Sequence, residues 1–284
     1  MRIVLAFLLV FAIQFRPLFG QNLRGGSVPQ LAVIQKNVYD TAYVKVYYEY
    51  KVRKDSLSDK KENGQTILLI GNNNVGFYDY YKLRANAVND SVSLAKGTAM
   101  DAFAKLSGMM TNIKYRSPLV IDRRKNKVMV QLENVNVYQY EEPVPNIVWH
   151  YEDGDTTLCE VPCKKATCYF GGRKWTAWYA PSFSVNAGPY LFSGLQGLIF
   201  DISDTKDNFR FSLNGVENLQ QPELIYLNSD KSIEHTTRDK ARRAVENEQH
   251  YFVEALMMKA PGTRLPKSIQ NGKLKSAYNP IELY

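Results

Sequence analysis

Residues 171–213 read GGRKWTAWYAPSFSVNAGPYLFSGLQGLIFDISDTKDNFRFSL and contain the strongest strand signals of the chain. It is the densest run of aromatic residues, glycines and alternating apolar residues in the chain. Its first part predicts a strand, with Trp175, Ala177 and Tyr179 on one face. A crossing rich in proline and glycine follows, and residues 198–213 predict a hairpin around a polar turn. Strand pairing is therefore the main feature that this stretch predicts.

Alternating patterns on both sides of this stretch predict further strands. They cover residues 43–52, 66–70, 75–78, 127–132, 135–140, 147–149, 158–169 and 223–227. Two polar stretches between them predict turns: residues 152–155 (EDGD), which lack the ligand spacing of an EF-hand loop, and Asn214-Gly215. Pro162 predicts an interruption of its strand.

Two segments have helical character. Residues 79–108 predict a helical excursion over the sheet, with Phe103, Leu106 and Met110 at helical intervals. Residues 236–259 predict a strong helix that ends at Pro261-Gly262. Thr236 and Asp239 resemble a capping pair at its start. Together the patterns predict an α+β, β-rich fold: a curved antiparallel sheet, half-barrel-like, with helical excursions and a C-terminal helix.

Residues 1–20 predict a signal peptide, because the apolar run 3–13 follows Arg2 and is too short for a comfortable membrane span. Cleavage after Gly20 leaves one domain, residues 21–284, with no transmembrane span. Loss of Arg2 and Arg16 lowers the formal net charge from +8 to +6. This charge is mild and interspersed with acids, so it does not favour nucleic-acid binding. We expect an exported protein of the periplasm or the exterior.

Cys159, Cys163 and Cys168 therefore belong to an oxidising compartment and allow at most one internal disulfide. On one extended strand, Cys159 and Cys163 would lie about 13 Å apart, whereas a disulfide needs Cα atoms within about 7 Å. A bridge requires a turn, for which Pro162 offers a place. The three histidines have no metal-ligand spacing, so neither a metal nor another cofactor is predicted.

The central stretch resembles the GLPGLI family, exported proteins of Bacteroidota named for their motif. The matching residues are Cys163, Lys165-Ala166-Thr167, Gly172-Arg173, Ala177-Trp178-Tyr179, Gly188-Pro189-Tyr190, Phe192, Gly194-Leu195 and Gly197-Leu198-Ile199, with Tyr138, Tyr140-Glu141 and Trp149 upstream and residues 279–283 at the end. Gln196 stands where the motif has proline, and residues 160–162 replace the usual approach to Cys163. The resemblance implies export and a β-rich domain, and it implies no activity.

The motif allows two interpretations. Gly188, Gly194 and Gly197 would permit positive φ or close approach of another segment, and Pro189 would suit the start of a strand or an edge. In the first interpretation the motif is a folding nucleus. In the second it forms a concave aromatic surface that binds a lipid, a peptide or a protein. The residues predicted to line that surface are Arg173, Trp175, Trp178, Tyr179 and Tyr190.

Signals for catalysis are weak. The nucleophile pattern G-x-S-x-G is absent, because the sequence around Ser193 lacks its first glycine. The sequence therefore favours a non-catalytic envelope module that binds an apolar ligand or a protein partner. The alternative is an uncharacterised periplasmic hydrolase, which would have to use scattered groups such as His150 and Asp201.

Overall fold

A computed structural model describes residues 30–259 and 278–283. The strands of these residues are β1 Lys36–Val52, β2 Glu62–Gly71, β3 Asn74–Asp79, β4 Leu119–Asp122, β5 Lys127–Glu133, β6 Val137–Pro143, β7 Trp149–Leu158, β8 Val161–Phe170, β9 Arg173–Ala180, β10 Leu198–Asp204, β11 Phe209–Asn228 and β12 Ile233–His235. The helices are α1 Tyr80–Leu94, α2 Ala99–Met110, α3 Arg238–His250 and α4 Phe252–Lys259. The predicted signal peptide and Pro261-Gly262 lie outside the described residues.

The strands form one open sheet in the order β12-β6-β5-β4-β3-β2-β1-β11-β10-β9-β8-β7. Every pairing is antiparallel except that of β12 with β6, so the sheet is mixed. The ends β12 and β7 are not joined to each other, so the sheet does not close into a barrel. The β-rich α+β fold class is confirmed, and the parallel β12 is its one departure from a purely antiparallel sheet.

The central strand β1 shows how the alternating pattern builds the core. Val46, Tyr48, Tyr50 and Val52 are buried on one face, as the pattern predicts. Tyr50 stacks on Phe211 of the neighbouring β11 with ring centroids 4.9 Å apart. Burying such rings removes large apolar areas from water, and this burial is the main stabilising contribution to the sheet.

The predicted turn at Asn214-Gly215 is wrong, since β11 runs through it. Tyr48 pairs with Leu213 and Tyr47 with Gly215, which leaves Asn214 as the extra residue of a β-bulge. A bulge and a turn share the same preference for glycine and asparagine, and only the long partner strand β1 distinguishes them.

The predicted turn at residues 152–155 is also wrong, because these residues lie inside β7. The pairing with β8 shifts register between Glu152 and Asp155, around Gly154 with φ +136°. The chain reverses instead at Cys159-Glu160, where both residues have positive φ. Pro162 therefore lies in β8 without interrupting it.

The predicted helical excursion is confirmed as α1 and α2. Asp79 caps α1 by accepting hydrogen bonds from the amides of Tyr81 and Lys82, and Thr98 and Asp101 form a capping box at the start of α2. Helix α1 packs against β2 and β3. Leu106 is buried, as its helical spacing predicts, whereas Phe103 remains 39% exposed.

The predicted C-terminal helix is divided into α3 and α4 at Tyr251. Thr237, not Thr236, is the N-cap residue, and the predicted capping pair with Asp239 is not formed. Within the ranges that the structure describes, no helix combines the length and apolar character needed to cross a membrane.

Candidate functional site

Arg173 begins β9 and is buried, where it holds the end of the chain. Its Nη2 donates to Asn279 Oδ1 at 2.6 Å and to the carbonyl of Pro280 at 2.7 Å, and its Nε donates to the carbonyl of Ile281 at 3.0 Å. We call residues 278–283 the C-terminal tail. The planar guanidinium presents donors in a fixed fork, so it can bind three successive tail residues at once.

Asp204 and Phe209 contact the same guanidinium on the sides that the tail leaves free. Asp204 Oδ2 lies 3.3 Å from Arg173 Nη1, in an ion pair with both side chains almost fully buried. The Asp204 carboxylate also accepts from the amides of Asn208 and Phe209, and the Phe209 ring lies 4.9 Å below the guanidinium carbon. Burial lowers the pKa of the Arg173 guanidinium, and the neighbouring Asp204 carboxylate partly offsets this.

Glu282 of the tail is buried and satisfied at both carboxylate oxygens. Tyr190 Oη donates to Oε1, and Arg238 Nη2 donates to Oε2. Burial, followed by the negative charge of Glu282, raises the pKa of the Tyr190 hydroxyl, which therefore stays protonated as a donor. Tyr190 adopts φ +57°, a conformation that is strained for a non-glycine residue.

Gly171 completes the contact by meeting the tail backbone directly. Its carbonyl accepts from the Leu283 amide at 2.7 Å. A Cβ added at Gly171 would lie 2.9 Å from Glu282 Cα, and the glycine has φ +57°. Arg242 Nη2 donates to the carbonyl of Glu282. We call the tail-binding residues Gly171, Arg173, Tyr190, Arg238 and Arg242 the tail slot. The central and closing motifs of the sequence are therefore two halves of one packing unit.

Two of the three aromatic residues of β9, Trp175 and Tyr179, face the core. Trp175 is fully buried, donates from Nε1 to the carbonyl of Phe170 at 3.0 Å and packs on Phe192 with centroids 4.6 Å apart. Tyr179 is also buried on this face. Four of the five predicted ligand-binding residues thus lie in the interior, and no shared concave surface brings them to solvent. Trp178 is the exception.

The motif glycines allow close backbone packing in the crossing between β9 and β10. Gly197 has φ +136°, and a Cβ there would lie 2.1 Å from the carbonyl oxygen of Ala180. A Cβ at Gly188 would lie 2.6 Å from the carbonyl oxygen of Phe192, and Gly194 has φ +95°. Pro189 is neither at a strand start nor at an edge, because it lies within the crossing and accepts from the Phe192 amide.

Trp178 lies on the opposite face of β9 and is half-buried. It pairs with Lys165 on β8 and Asp201 on β10, and Asp201 pairs with Ser212 on β11. We call this side of β7–β11 the open face. It comprises His150, Glu152, Lys165, Thr167, Tyr169, Lys174, Thr176, Trp178, Asp201, Ser203, Arg210 and Ser212. The helices pack against β2, β3, β5 and β6 instead.

Several polar side chains of the open face form hydrogen bonds with one another. Asp201 is buried and accepts from Arg210 Nε at 3.0 Å and from Ser212 Oγ at 2.6 Å. Thr167 Oγ1 donates to Glu152 Oε1 at 2.9 Å. These bonds hold charged side chains of both signs around Trp178, while Tyr169 remains 73% exposed.

The groups named for the hydrolase alternative do not meet. His150 on β7 lies in register with Thr167, Thr176 and Ser203 on the next three strands, about 14 Å from Ser203. Asp201 lies two residues further along β10, which puts its backbone about 16 Å from that of His150. Among the described residues, no group of three or more His, Cys, Asp or Glu side chains could hold a metal ion.

The three cysteines, all among the described residues, are free thiols. Cys159 is exposed in the turn between β7 and β8, whereas Cys163 and Cys168 are buried. Burial raises the pKa of Cys163 to about 11 and that of Cys168 to about 12. Five residues of one strand, roughly 16 Å, separate Cys163 from Cys168, which is too far for a bridge.

An open depression of about 490 Å³ lies beside the β7–β8 hairpin. Its lining is Asp155, Thr156, Thr157, Pro162, Cys163, Lys164, Pro181 and Ser182. A second cavity, of about 20 Å³, lies beside α1. Neither is lined by the predicted aromatic residues.

No family model matches the chain, and no curated protein matches it. Two solved structures of PNGF-II, in different space groups, are similar at 11% sequence identity, with TM-scores of 0.47 and 0.48. The matches cover 74% and 72% of this chain, but only 34% and 33% of the PNGF-II chains. The chain therefore spans about a third of the length of these structures.

Proposed function

We propose that the chain is an exported, non-catalytic module that binds a protein partner through the open face. The observation that carries this proposal is the half-buried Trp178, which lies among charged groups of both signs on a sheet face that no described helix covers. Tryptophan, tyrosine and arginine are the residues enriched in protein interfaces and in their energetic centres. Trp178, Tyr169 and Arg210 supply all three on one surface.

An apolar ligand, which the sequence pattern also allows, has less support than a protein partner. Trp175, Tyr179 and Tyr190 would have to line a ligand cavity, but their rings are buried against other side chains of the core. The larger depression, beside the β7–β8 hairpin, is lined by threonines and charged groups such as Asp155 and Lys164. An apolar ligand needs a dry, concave site with few polar groups, whereas a protein partner can use a flat, polar surface.

Site-specific photo-crosslinking in cells tests the proposal. A photoreactive residue replaces Lys174 on the open face or, as the control, Lys60 in the exposed loop between β1 and β2. We expect a protein adduct of discrete mass from position 174 and none from position 60. Adding Trp178→Ala should lower the adduct yield about thirtyfold, because truncating a central aromatic residue of an interface commonly costs about 2 kcal/mol. Equal yields at the two positions, or no adduct from the open face, would reject this function.

A further inference from the structure

Strand β7 forms one end of the sheet, and its outer side has no described partner. Its ten residues, Trp149–Leu158, pair only with β8 among the described strands. No backbone hydrogen bond joins β7 to another described segment on its outer side. The opposite end of the sheet, β12, is only three residues long. We call the outer side of β7 the free edge, and an edge of this length is a template for pairing with another chain.

The turn between β7 and β8 shows which backbone groups of β7 point outward. Leu158 and Val161 flank a two-residue turn, so they form the first hydrogen-bonded pair of the hairpin. Hydrogen-bonded and non-hydrogen-bonded pairs then alternate along β8, and Pro162, which has no N–H, falls in a non-hydrogen-bonded pair. The pair of Tyr151 with Ala166 is also non-hydrogen-bonded by this alternation. The N–H and C=O of Tyr151 therefore point to the free edge.

A row of three side chains connects the open face with the free edge. Trp178 on β9, Lys165 on β8 and Glu152 on β7 lie in register across the sheet. A Cβ added at Gly154 would lie 3.7 Å from Trp178 Cη2, so the indole extends across β8 as far as β7. Glu152 accepts from Thr167 at one oxygen and forms no salt bridge with any residue that the structure describes. A strand added beyond β7 would place its own side chain next in this row.

The charge of the free edge favours a basic segment. Residues 149–160 contain no lysine or arginine and four acids, Glu152, Asp153, Asp155 and Glu160. A second copy of this chain would bring the same acids against these, and like charges directly opposite each other destabilise a strand pair. On the inner side, β8 places Lys165 opposite Glu152. A segment with lysine or arginine opposite Glu152 repeats this pairing on the outer side, and its cation also comes near the Trp178 indole.

The other face of β7 is apolar beside the free edge. Tyr151 is 64% exposed, and its ring centroid lies 6.2 Å from that of Tyr179. Val148, immediately before β7, is 62% exposed. Successive side chains of a strand point to opposite faces, so a segment with cations on the open face presents its alternate side chains to Tyr151. Apolar side chains fit there because they would cover a ring that is exposed to water.

We propose that the free edge takes up an extended segment of a partner protein as an additional strand of the sheet. The segment alternates lysine or arginine, which face Glu152 and Trp178, with apolar residues, which face Tyr151. The bulge at Gly154 interrupts the edge, so the pairing runs along residues 149–152 and needs only a short segment. This inference rests on the proposed function and adds the kind of segment that the protein partner supplies.

Fluorescence anisotropy of the purified protein with a labelled hexapeptide of alternating lysine and valine tests this proposal. We expect saturable binding, and at least about tenfold weaker binding of the peptide that has glutamate in place of lysine. Tyr151→Pro removes the ring and the outward N–H, whereas the matched control Tyr151→Val removes the ring alone. The proline variant should bind the lysine peptide about fivefold more weakly than the valine variant, because a backbone hydrogen bond is lost.

A charge reversal tests the same edge without changing the backbone. Glu152→Lys should weaken binding of the lysine peptide at least about tenfold. Asp59→Lys is the matched control, since it makes the same change of charge in the exposed loop between β1 and β2 and should bind like the parent. Circular dichroism melting establishes that each variant is folded, and Glu152→Lys decides the question if Tyr151→Pro is not.

Three results would each overturn the proposal: no binding of the lysine peptide, equal binding of the glutamate peptide, or equal affinity of Glu152→Lys and Asp59→Lys. Equal affinity of folded Tyr151→Pro and Tyr151→Val would also overturn it, because binding would then not use the backbone of β7. A crosslinked adduct from position 174 without peptide binding would reject this inference and leave the proposed function standing. Peptide binding without an adduct would support the free edge and reject the proposed function alone.

Discussion

The two faces of β9 contain the same kinds of residue and have opposite roles. On one face, Arg173 is buried against the C-terminal tail and Trp175 is packed in the core. On the other, Lys174 is exposed and Trp178 is half-buried beside solvent. Residue type does not decide which aromatic or cation is available to a partner. The coverage of each face by distant parts of the chain decides it.

The two tryptophans give the largest expected contrast. Trp175→Ala should reduce the free energy of unfolding by about 4 kcal/mol, because it leaves a cavity in the packed core. Trp178→Ala should reduce it by less than about 1 kcal/mol, since solvent already reaches that side chain. Urea unfolding measures both values. Similar losses in the two variants would mean that the open face is covered in solution.

The two cations give the next contrast. Arg173→Leu should cost about 3 kcal/mol, because Asp204 keeps a buried charge without its cation and the tail carbonyls lose their donor. Lys174→Leu on the exposed side should change stability by less than about 0.5 kcal/mol. The two costs are compared from the midpoints of urea unfolding, with the same dependence of the unfolding free energy on urea concentration for every variant.

A double variant separates the tail contact from other effects of Arg173→Leu. Deleting residues 278–284 removes the same hydrogen bonds by taking away the tail acceptors instead of the Arg173 donor. The two changes together should cost clearly less than the sum of their separate costs. Strict additivity would show that Arg173 and the tail act independently.

A substitution in the crossing between β9 and β10, which packs on the buried side of β9, should have a smaller effect on the free energy of unfolding. Gly197→Ala should cost about 2 kcal/mol, because its φ of +136° is strained for alanine and the new Cβ would meet the Ala180 carbonyl. Gly108→Ala in α2 serves as the control, since nothing lies within 4 Å of its Cβ position. That change should stabilise the protein by about 0.5–1 kcal/mol. Thermal unfolding should therefore show shifts of opposite sign.

Thiol labelling tests the burial of the cysteines in the unaltered protein, without any substitution. In the native protein, an aromatic disulfide reagent should react with one thiol per chain, Cys159, because Cys163 and Cys168 are buried with raised pKa values. After unfolding in guanidinium, the same reagent should count three. A count of one after unfolding would show that two of the cysteines form a disulfide.

Local periodicity was sufficient to predict much of the sheet. The alternation in β1, the hairpin of β10 and β11, and the helical character of residues 79–108 all follow from spacings of two or of three to four residues. The turns at residues 152–155 and at Asn214-Gly215 were wrong for one reason. A bulge in a paired strand and a turn between strands use the same residues, and only the partner strand distinguishes them.

The tail slot was beyond prediction from local pattern. Arg173 and Asn279 are 106 residues apart, and neither lies in a repeat or a spacing that links them. The only sequence signal was the short run Asn279-Pro280-Ile281-Glu282-Leu283 after a polar stretch. The alternation of β9 correctly put Trp178 on the face opposite Trp175 and Tyr179, but the sequence could not say which of the two faces would be covered.

The long sequence separation between Arg173 and the tail determines the order in which the two parts of this contact are synthesised. Polypeptides are made from the amino terminus, so β9 exists long before residues 278–283 do. Until those last residues arrive, the Arg173 guanidinium and the Tyr190 hydroxyl lack their partners in the tail, and water has to solvate them. The buried side of β9 therefore reaches its final packing only after the tail has been made. The tail slot thus makes one of the earlier parts of the sheet wait for one of the later parts of the chain.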